Sequence, residues 1–319
     1  MKYNMLIQRS FLAVSSLLLS FASCAGQNDD CMTAKWHEGE EHSFRMEGTT
    51  YDVSEVGDTT VSARGAYDFK VSVVKATKKG YKMRLDYPTS LYTSNMEIDL
   101  SDIGEFIPIE FETDEFGIFE DVTNTDFLIK LSDRMIEAAI KLPQLSSMNE
   151  RDLRAMLNSY MSPERMVQSF SQDINLLLWA YGVGVQEGVV LKNESSVEMG
   201  GMGIPTTISI LYSPEEKENG LFVVNMVTDY DSDSLAPFMS QFVGQMMSTV
   251  QDKGKYNQSE FEDFMSKAKM QIADYYLAAI DLDTTWPTVT RYIREVTIES
   301  EGKIQQKIQQ RVIYDLEEE

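Results

Sequence analysis

Histidine is scarce in this 319-residue sequence, which contains only His37 and His42. A Ser-His-Asp or Cys-His catalytic system needs an imidazole beside its nucleophile, and no histidine follows residue 42. The sequence also lacks a G-x-S-x-G nucleophile elbow. The glycine run 200–203 lacks the lysine and the Ser/Thr that complete a phosphate-binding loop. The residue patterns of several common enzyme classes are therefore missing.

The first apolar run, residues 11–21, is too short to span a bilayer, because a transmembrane helix needs about 20 apolar residues. Lys2 and Arg9 flank a short basic start before this run, and small residues follow it at 22–25. A basic start, an apolar stretch and a small-residue cleavage site together make a secretory signal. The sequence therefore predicts an exported protein.

The tripeptide Ala22-Ser23-Cys24 resembles the end of the lipobox in bacterial exported lipoproteins. The resemblance implies a signal peptide over residues 1–23 and a lipid on Cys24 that anchors the chain to a membrane. Phe21 departs from the pattern, since an aliphatic residue is usual there. Ordinary cleavage after Ala25 is the alternative. Either route predicts a location in the periplasm, on the outer membrane or at the cell surface.

The only other cysteine is Cys31. Lipid attachment occupies the sulfur of Cys24, and cleavage after Ala25 removes Cys24, so we expect no disulfide within the mature domain. A mature chain of about 295 residues can instead rely on its core, because it buries about three quarters of its unfolded surface.

Basic residues are few: 28 Lys and Arg stand against 51 Asp and Glu, and the formal net charge is −23. A surface this acidic repels nucleic acid and anionic lipid headgroups, so neither is expected as a partner. The polar and acidic residues that follow Cys24 are typical of a tether between a lipid and a folded domain. We assign residues 24–40 to this acidic tether.

Alternating apolar and polar residues predict an antiparallel β block in the first part of the chain. Apolar positions in 81–87 alternate with Lys82, Arg84 and Asp86 after the turn 78–80, a pattern typical of a hairpin strand. Further extended stretches are predicted over 43–53 and 59–74, with shorter pieces from 91 to 120.

Helical spacing then predicts three helices. The first follows the polar residues 123–125 and ends before Pro143. The second begins at Ser147-Met148-Asn149-Glu150, which has the pattern of a capping box. The third begins with Ser162 as its cap and Pro163 in its first turn, and it ends at Gly182.

The same kinds of element follow in the second part of the chain. Strands are predicted over 185–191, 196–199, 206–212 and 221–228, helices over 235–252 and 259–280, and a closing hairpin over 289–299 and 303–314. The expected fold is α+β, with antiparallel sheets packed on helical runs in the order β-α-β-α-β. We expect one interlocked unit over 41–319, with two similar halves, 41–182 and 183–319, curled around the helices as the alternative division.

Two clusters suggest cation chemistry. Alternating Asp229, Asp231 and Asp233 could hold a hard cation such as Ca²⁺, but Ser234 and Ser240 stand where an EF-hand loop has Gly and Glu. These aspartates also suit the cap of a helix that begins near Ser234. The run His-Glu-Gly-Glu-Glu-His at 37–42 has one residue more than the zinc motif H-E-x-x-H, which rotates its second histidine about 100° out of line. No cofactor is therefore predicted, and Ca²⁺ remains the alternative.

Methionine is frequent, with 19 residues, and several fall in the predicted helix 235–252. Flexible thioethers line adaptable apolar surfaces, and they also fill gaps in ordinary cores. Antiparallel strands that curl around helices could hold an apolar groove, as in periplasmic carriers of lipid or lipoprotein. The candidate groove residues are Phe238, Met239, Phe242, Met246 and Met247.

These observations lead to two functional hypotheses. The first is a lipid-anchored envelope protein that is not a catalyst and that binds an apolar ligand or another envelope protein, or has a structural role. The alternative is a hydrolase, for example one acting on glycans, that uses a pair of carboxylates or a cation. Retained apolar ligand would favour the first hypothesis, and a divalent ion bound in a cleft would favour the second.

Overall fold

A computed structural model of the protein describes residues 30–54, 56–91, 103–142, 145–146, 149–199, 202–235, 269–300 and 303–316. Most of these residues belong to one antiparallel sheet of 11 strands, in the order β6-β5-β4-β3-β2-β13-β12-β11-β10-β9-β8. The sheet strands are β2 Glu41–Val53, β3 Thr59–Thr77, β4 Gly80–Pro88, β5 Phe106–Asp114, β6 Phe119–Val122, β8 Leu191–Met199, β9 Met202–Ser213, β10 Leu221–Tyr230, β11 Lys269–Asp281, β12 Pro287–Ser300 and β13 Lys303–Asp315. Two short strands, β1 Asp30–Cys31 and β7 Gly184–Val185, pair with each other.

The first and last long strands lie side by side in the middle of the sheet. In the β2–β13 ladder, Phe44 stands opposite Asp315 and Val53 opposite Gln306. From this centre, strands β3 to β6 extend to one edge and strands β12 to β8 extend to the other. Both halves of the chain therefore contribute strands to a single sheet.

One face of the sheet, called here the inner face, is apolar and contacts the helices. In β10, Phe222, Val224 and Met226 are buried while their neighbours are only partly so. The same period of two appears in β4 and β5, where Leu85 lies opposite Ile109 in the core. Since side chains of a strand alternate between faces, this pattern fixes the register of each strand.

Three helices connect the two edges of the sheet: α1 Thr125–Ile140, α2 Glu150–Met161 and α3 Pro163–Leu178. Helix α3 packs on β12 and on β6, and α1 contacts α2 and α3. A short 3-10 helix, Pro214–Asn219, joins β9 to β10. Within the described residues, no helix is long and apolar enough to cross a membrane.

The caps of α2 and α3 differ in how well the sequence predicted them. The Ser162 side chain accepts a hydrogen bond from the Arg165 amide, with Pro163 in the first turn, as predicted. The N-cap of α2 is Asn149, whose side chain accepts from the Arg151 amide. The predicted cap Ser147 lies outside the described residues.

Replacing Ser162 with alanine is expected to lower the free energy of unfolding by about 1 kcal/mol, because the Arg165 amide loses its cap acceptor. Urea denaturation measures the change. The control is Ser169→Ala, an exposed position inside α3, where alanine should be neutral or slightly stabilising. Equal behaviour of the two variants would contradict a capping role.

The predicted α+β fold with the order β-α-β-α-β is wrong. The structure is mostly antiparallel sheet, with 54% strand and 25% helix, and one large sheet replaces the expected series of strand and helix layers. The last part of the predicted helix 259–280 is strand β11, which pairs with β12 over residues 269–280 and with β10 over residues 273–281. Residues 236–268, which carry the rest of the two predicted helices, lie outside the described residues.

The stretch predicted to be a tether contributes to the core. Met32, Ala34 and Trp36 are buried. The Trp36 ring lies 4.8 Å from that of Trp286, and its indole N–H donates to the Thr285 carbonyl at 3.1 Å. Residues 32–36 are therefore held against the β11–β12 turn.

Cys31 is disulfide-bonded, which differs from the expected unpaired thiol. The only other cysteine of the sequence is Cys24, which lies outside the described residues.

Candidate binding face

A belt of buried polar residues crosses four neighbouring strands on the inner face. It consists of Thr206 in β9, Thr228 in β10, Asp274 in β11 and Arg294 in β12, called here the polar belt. Cross-strand pairing places Thr228 opposite Asp274, and Asp274 opposite Arg294. All four residues are at most 5% exposed. Because opposite residues share a face, these side chains all point into the protein.

The polar belt separates two apolar regions of the inner face. On one side lies the contiguous core that packs on the helices, and it includes Ile208, Met226 and Tyr292. On the other side lies a second group of buried residues that are not part of that core, called here the distal patch. The distal patch consists of Val197, Ile204, Met270 and Ile272.

Asp274 and Arg294 form a bidentate ion pair at the centre of the belt. The Arg294 guanidinium donates to both carboxylate oxygens of Asp274, with Nε–Oδ1 at 2.7 Å and Nη2–Oδ2 at 2.6 Å. The hydroxyls of Tyr230 and Tyr292 donate to the same carboxylate at 2.7 and 3.0 Å. The two tyrosine rings also lie about 6 Å from the guanidinium carbon, a distance that allows a cation–π contribution.

Burial and charge set the protonation states of this cluster. Burial by itself lowers the pKa of Arg294, but Tyr292 and the carboxylate of Asp274 offset it, so the pKa lies well above its ordinary value. Burial raises the pKa of Tyr292 and that of Tyr276 well above the ordinary tyrosine value. The arginine therefore stays charged, and both phenols stay protonated.

Two belt threonines make no hydrogen bond through their side chains to the residues that the structure describes. The Oγ1 atoms of Thr206 and Thr228 are buried without such a partner, and the same holds for Thr290 Oγ1 and Trp179 Nε1. All four atoms belong to the end of α3 or to strands β9, β10 and β12. Since buried polar atoms are normally paired, their concentration in one half of the sheet needs an explanation.

The belt carboxylate is poorly suited to catalysis. Asp274 accepts four hydrogen bonds, two from Arg294 and one from each tyrosine, which fill the usual lone-pair sites of a carboxylate. A general base or a metal ligand would first have to release some of these donors. Asp274 and Arg294 form an ion pair whose charges cancel, and this pair positions its neighbours.

A second acidic residue joins α3 to the centre of the sheet. Asp173 accepts hydrogen bonds from the hydroxyls of Tyr67 and Tyr87 at 3.0 and 2.5 Å and forms an ion pair with Arg311. Burial by itself lowers the pKa of Arg311, but the charge of Asp173 offsets it and the pKa lies above its ordinary value. This cluster fixes the helices on the inner face.

The predicted aspartate cluster does not converge on a common point for a cation. Asp229 is exposed at the end of β10, and Asp231 accepts hydrogen bonds from the amide and hydroxyl of Ser234 at 3.0 and 2.5 Å. Asp233 is exposed in the helical turn that follows. The structure thus shows Asp231 in the capping role considered as the alternative to cation binding.

The two histidines have separate acidic partners. His37 Nδ1 lies 2.7 Å from Glu40 Oε1, and His42 Nδ1 lies 3.1 Å from Asp315 Oδ2. In the part of the chain that the structure describes, no three His, Cys, Asp or Glu residues are grouped so that they could hold a metal ion. Cation binding therefore remains a prediction without a located site.

The other candidate residues fall outside the described part of the chain. Cys24, the predicted lipid attachment site, belongs to the N-terminal stretch that precedes residue 30. The predicted groove residues Phe238, Met239, Phe242, Met246 and Met247 belong to 236–268. The distal patch and the polar belt were not among the predicted site residues.

The fold is an 11-stranded antiparallel sheet that packs helices on its inner face, and the polar belt is buried on the same face. No protein-family model matches the sequence. A search of characterised proteins also finds no significant match.

Proposed function

We propose that this protein is exported to the cell envelope, is anchored there by a lipid on Cys24, and binds an apolar ligand on its inner face without catalysing a reaction. The observation that carries the proposal is the distal patch. Its apolar side chains are buried, and they lie across the polar belt from the core that packs on the helices.

The edge of the sheet next to the distal patch offers a route to solvent. In edge strand β8, Asn193 stands opposite Ile208, and Ser195 stands opposite Thr206. Both β8 residues are exposed, although they lie on the same face as their buried partners. Exposed polar residues thus stand at this edge, beside the buried apolar side chains of Val197 and Ile204. Polar groups at the rim and apolar residues inside are the usual composition of a binding site.

The Asp274 carboxylate already accepts four hydrogen bonds, which favours binding over catalysis. A glycan hydrolase needs two carboxyl groups free to act on the same bond. Asp274 and Asp173 each accept hydrogen bonds from two tyrosines and pair with an arginine. Neither of these carboxylates is free in that sense, and we do not carry the hydrolase hypothesis further.

The location and the anchor rest on the sequence of the signal segment. Lipid attachment and disulfide formation both consume the sulfur of a cysteine, so Cys24 can carry a lipid or pair with Cys31 but not both. The proposal requires the lipid form in the mature protein. Cys31 would then carry a thiol after processing.

Native mass spectrometry of the protein from its own envelope fraction tests the proposal. We expect a chain that begins at Cys24, carries a mass of diacylglycerol size, and retains a non-covalent mass of lipid size. Ile204→Ala, which shortens a distal-patch side chain, should reduce the retained mass. The matched control is Leu211→Ala in the same strand, because Leu211 is 46% exposed on the outer face.

Three outcomes would each count against a different part of the proposal. A chain that begins at residue 26, or a Cys24–Cys31 disulfide in the mature protein, would remove the anchor. Loss of all retained mass in the wild-type protein would remove the ligand. Equal retention by Ile204→Ala and Leu211→Ala would place the ligand elsewhere.

A further inference from the structure

The strands of the large sheet pair antiparallel, so the turns between them collect at two ends. One end, called here the near end, holds the start of β2 and the turns at 78–79, 115–118, 214–220 and 282–286. The opposite end, called the far end, holds the tip of the β2–β3 hairpin, which carries Val56. Since β2 has 13 residues at about 3.3 Å each, the two ends lie roughly 40 Å apart.

The first described residues, 30–37, are fixed at the near end. Their first two residues form β1, which pairs with β7. The Ala34 amide donates to the Phe116 carbonyl at 2.8 Å, and the Trp36 indole donates to the Thr285 carbonyl at 3.1 Å. Both acceptors belong to near-end turns. The N-terminal part of the chain therefore joins the fold at this end and at a defined place.

A lipid on Cys24 limits how far the near end can stand from a membrane. Cys24 precedes Asp30 by six residues, and a residue spans at most about 3.6 Å, so β1 begins within roughly 20 Å of the lipidated residue. This limit is about half of the distance between the two ends of the sheet. The near end is thus kept beside the bilayer, whereas the far end is free to stand away from it.

Three apolar side chains are exposed at the near end, close to β1 and β7. Ile118 is 39% exposed, Val189 is 38% exposed and Val190 is 49% exposed. The Ile118 side chain lies so close to Gly182, just before β7, that a β-carbon would not fit there, and the two valines follow β7. We call these three residues the apolar tip. Exposed apolar residues beside a lipid anchor are suited to contact with a membrane surface.

The charges of the near end restrict the kind of membrane surface. Glu115 and Glu187 are exposed within three residues of the apolar tip in sequence, and Lys35, Lys78 and Lys79 are exposed at the same end. Side chains of both signs can pair with the two charges of a zwitterionic headgroup. An anionic surface is disfavoured, because the formal net charge of the chain is −23.

We propose that the near end is a membrane-docking surface, in which Ile118, Val189 and Val190 enter the headgroup region of a zwitterionic bilayer while the sheet projects its far end away from it. This assignment rests on the proposed lipid anchor and specifies the orientation of the anchored protein. The lipid alone limits only the distance between the chain and the bilayer. The apolar tip determines which part of the fold meets the lipid.

Photo-crosslinking of the lipidated full-length protein in phosphatidylcholine vesicles tests the orientation. A benzophenone side chain is introduced at Val190 or at Val56, and phospholipid adducts are counted by mass spectrometry. Val56 is the matched control, because it is also an exposed valine outside the strands, 82% exposed, but lies at the far end. Position 190 should give roughly fivefold more adduct or better, since a side chain about 40 Å farther away does not reach the bilayer.

A substitution in the apolar tip separates docking from mere proximity. With the benzophenone at Val189, Val190→Glu should lower the adduct yield by roughly fivefold, because a carboxylate is costly to move into the headgroup region. Val56→Glu should leave the yield unchanged. Both substituted side chains are exposed, and circular dichroism checks that both variants fold. Equal yields in the two variants would contradict apolar docking.

Flotation of the wild-type protein with the vesicles separates failure of the docking surface from failure of the anchor. If the protein floats and positions 190 and 56 give equal adducts, the anchor stands and the docking surface is overturned. A higher yield on phosphatidylglycerol than on phosphatidylcholine would overturn the choice of a zwitterionic surface. A protein adduct in place of a lipid adduct at position 190 in the native envelope would assign the near end to an envelope protein and overturn the assignment. If the wild-type protein does not float, the proposed anchor itself fails.

Discussion

Replacing Asp274 with alanine is expected to destabilise the protein by about 3–5 kcal/mol, because Arg294 would stay charged and buried without a counter-charge. The hydroxyls of Tyr230 and Tyr292 would lose their acceptor at the same time. This is a large fraction of the stability of a typical domain. Urea denaturation followed by circular dichroism measures the loss.

A second arginine–aspartate pair of the same sheet provides a matched control. Arg45 and Asp68 also stand opposite each other on neighbouring strands and approach to 2.7 Å. Their side chains are 41% and 54% exposed, whereas those of Arg294 and Asp274 are 6% and 0% exposed. Asp68→Ala should therefore destabilise the protein far less than Asp274→Ala, because exposed ion pairs contribute little to stability. Similar losses for Asp68→Ala and Asp274→Ala would contradict the burial argument.

A double substitution separates the charge from the space it fills. Asp274→Leu/Arg294→Met removes both charges together and keeps apolar volume in the belt. Replacing a whole buried ion pair with apolar residues is often neutral or stabilising, so the double variant should be much more stable than Asp274→Ala. If stability is retained, the pair is dispensable for folding. A simultaneous loss of lipid binding would then assign the pair to the ligand site.

The sequence predicted hairpins best where alternation is clean. Residues 81–87 and 289–314 follow a period of two, and the structure has β4 in the first place and the β12–β13 hairpin in the second. The pairing of β2 with β13 could not be predicted in the same way. These strands are separated by almost the entire chain, and local alternation carries no information about which distant strand lies alongside.

The prediction failed at β11 for a reason that also hid the polar belt. Met270 and Ile272 begin an alternating pattern, but Asp274 interrupts it at an inward position. The aspartate breaks the period of two at this point, and the sequence predicted a helix over 259–280 instead of a strand. Arg294 at an inward position of the predicted strand 289–299 was the available signal. A charged residue at a strand position that alternation places on the apolar face needs a buried partner of opposite charge.

The predicted export and lipid anchor depend on the signal segment, while the proposed ligand binding depends on the sheet. Scarcity of histidine excluded imidazole-based mechanisms from the sequence alone. The closed geometry of Asp274 then added a constraint that no motif could reveal, since composition does not show which carboxylates are saturated. These two observations concern imidazole-based mechanisms and one carboxylate, and the binding function stays a proposal.

Replacing Asp173 with alanine is expected to cost about 2–4 kcal/mol and to loosen α3 from the sheet. Three donors from three strands, Tyr67, Tyr87 and Arg311, converge on this carboxylate. Its removal takes away the counter-charge of the Arg311 guanidinium and the carboxylate acceptor of two tyrosine hydrogen bonds. Urea denaturation measures the loss, and Asp133→Ala on the exposed side of α1 is the control.

Hydrogen exchange distinguishes local undocking from general loss of stability. If Asp173 attaches the helix, exchange in α3 should accelerate more in Asp173→Ala than exchange in β12 and β13, which keep their ladder hydrogen bonds. Asp173→Asn should lie between the wild type and the alanine variant, because an amide oxygen can still accept from a tyrosine but cannot neutralise Arg311. Uniform acceleration over helix and strands would contradict an anchoring role. A stability loss no larger than that of Asp133→Ala would show that the apolar contacts of Phe170 and Ile174 hold the helix without it.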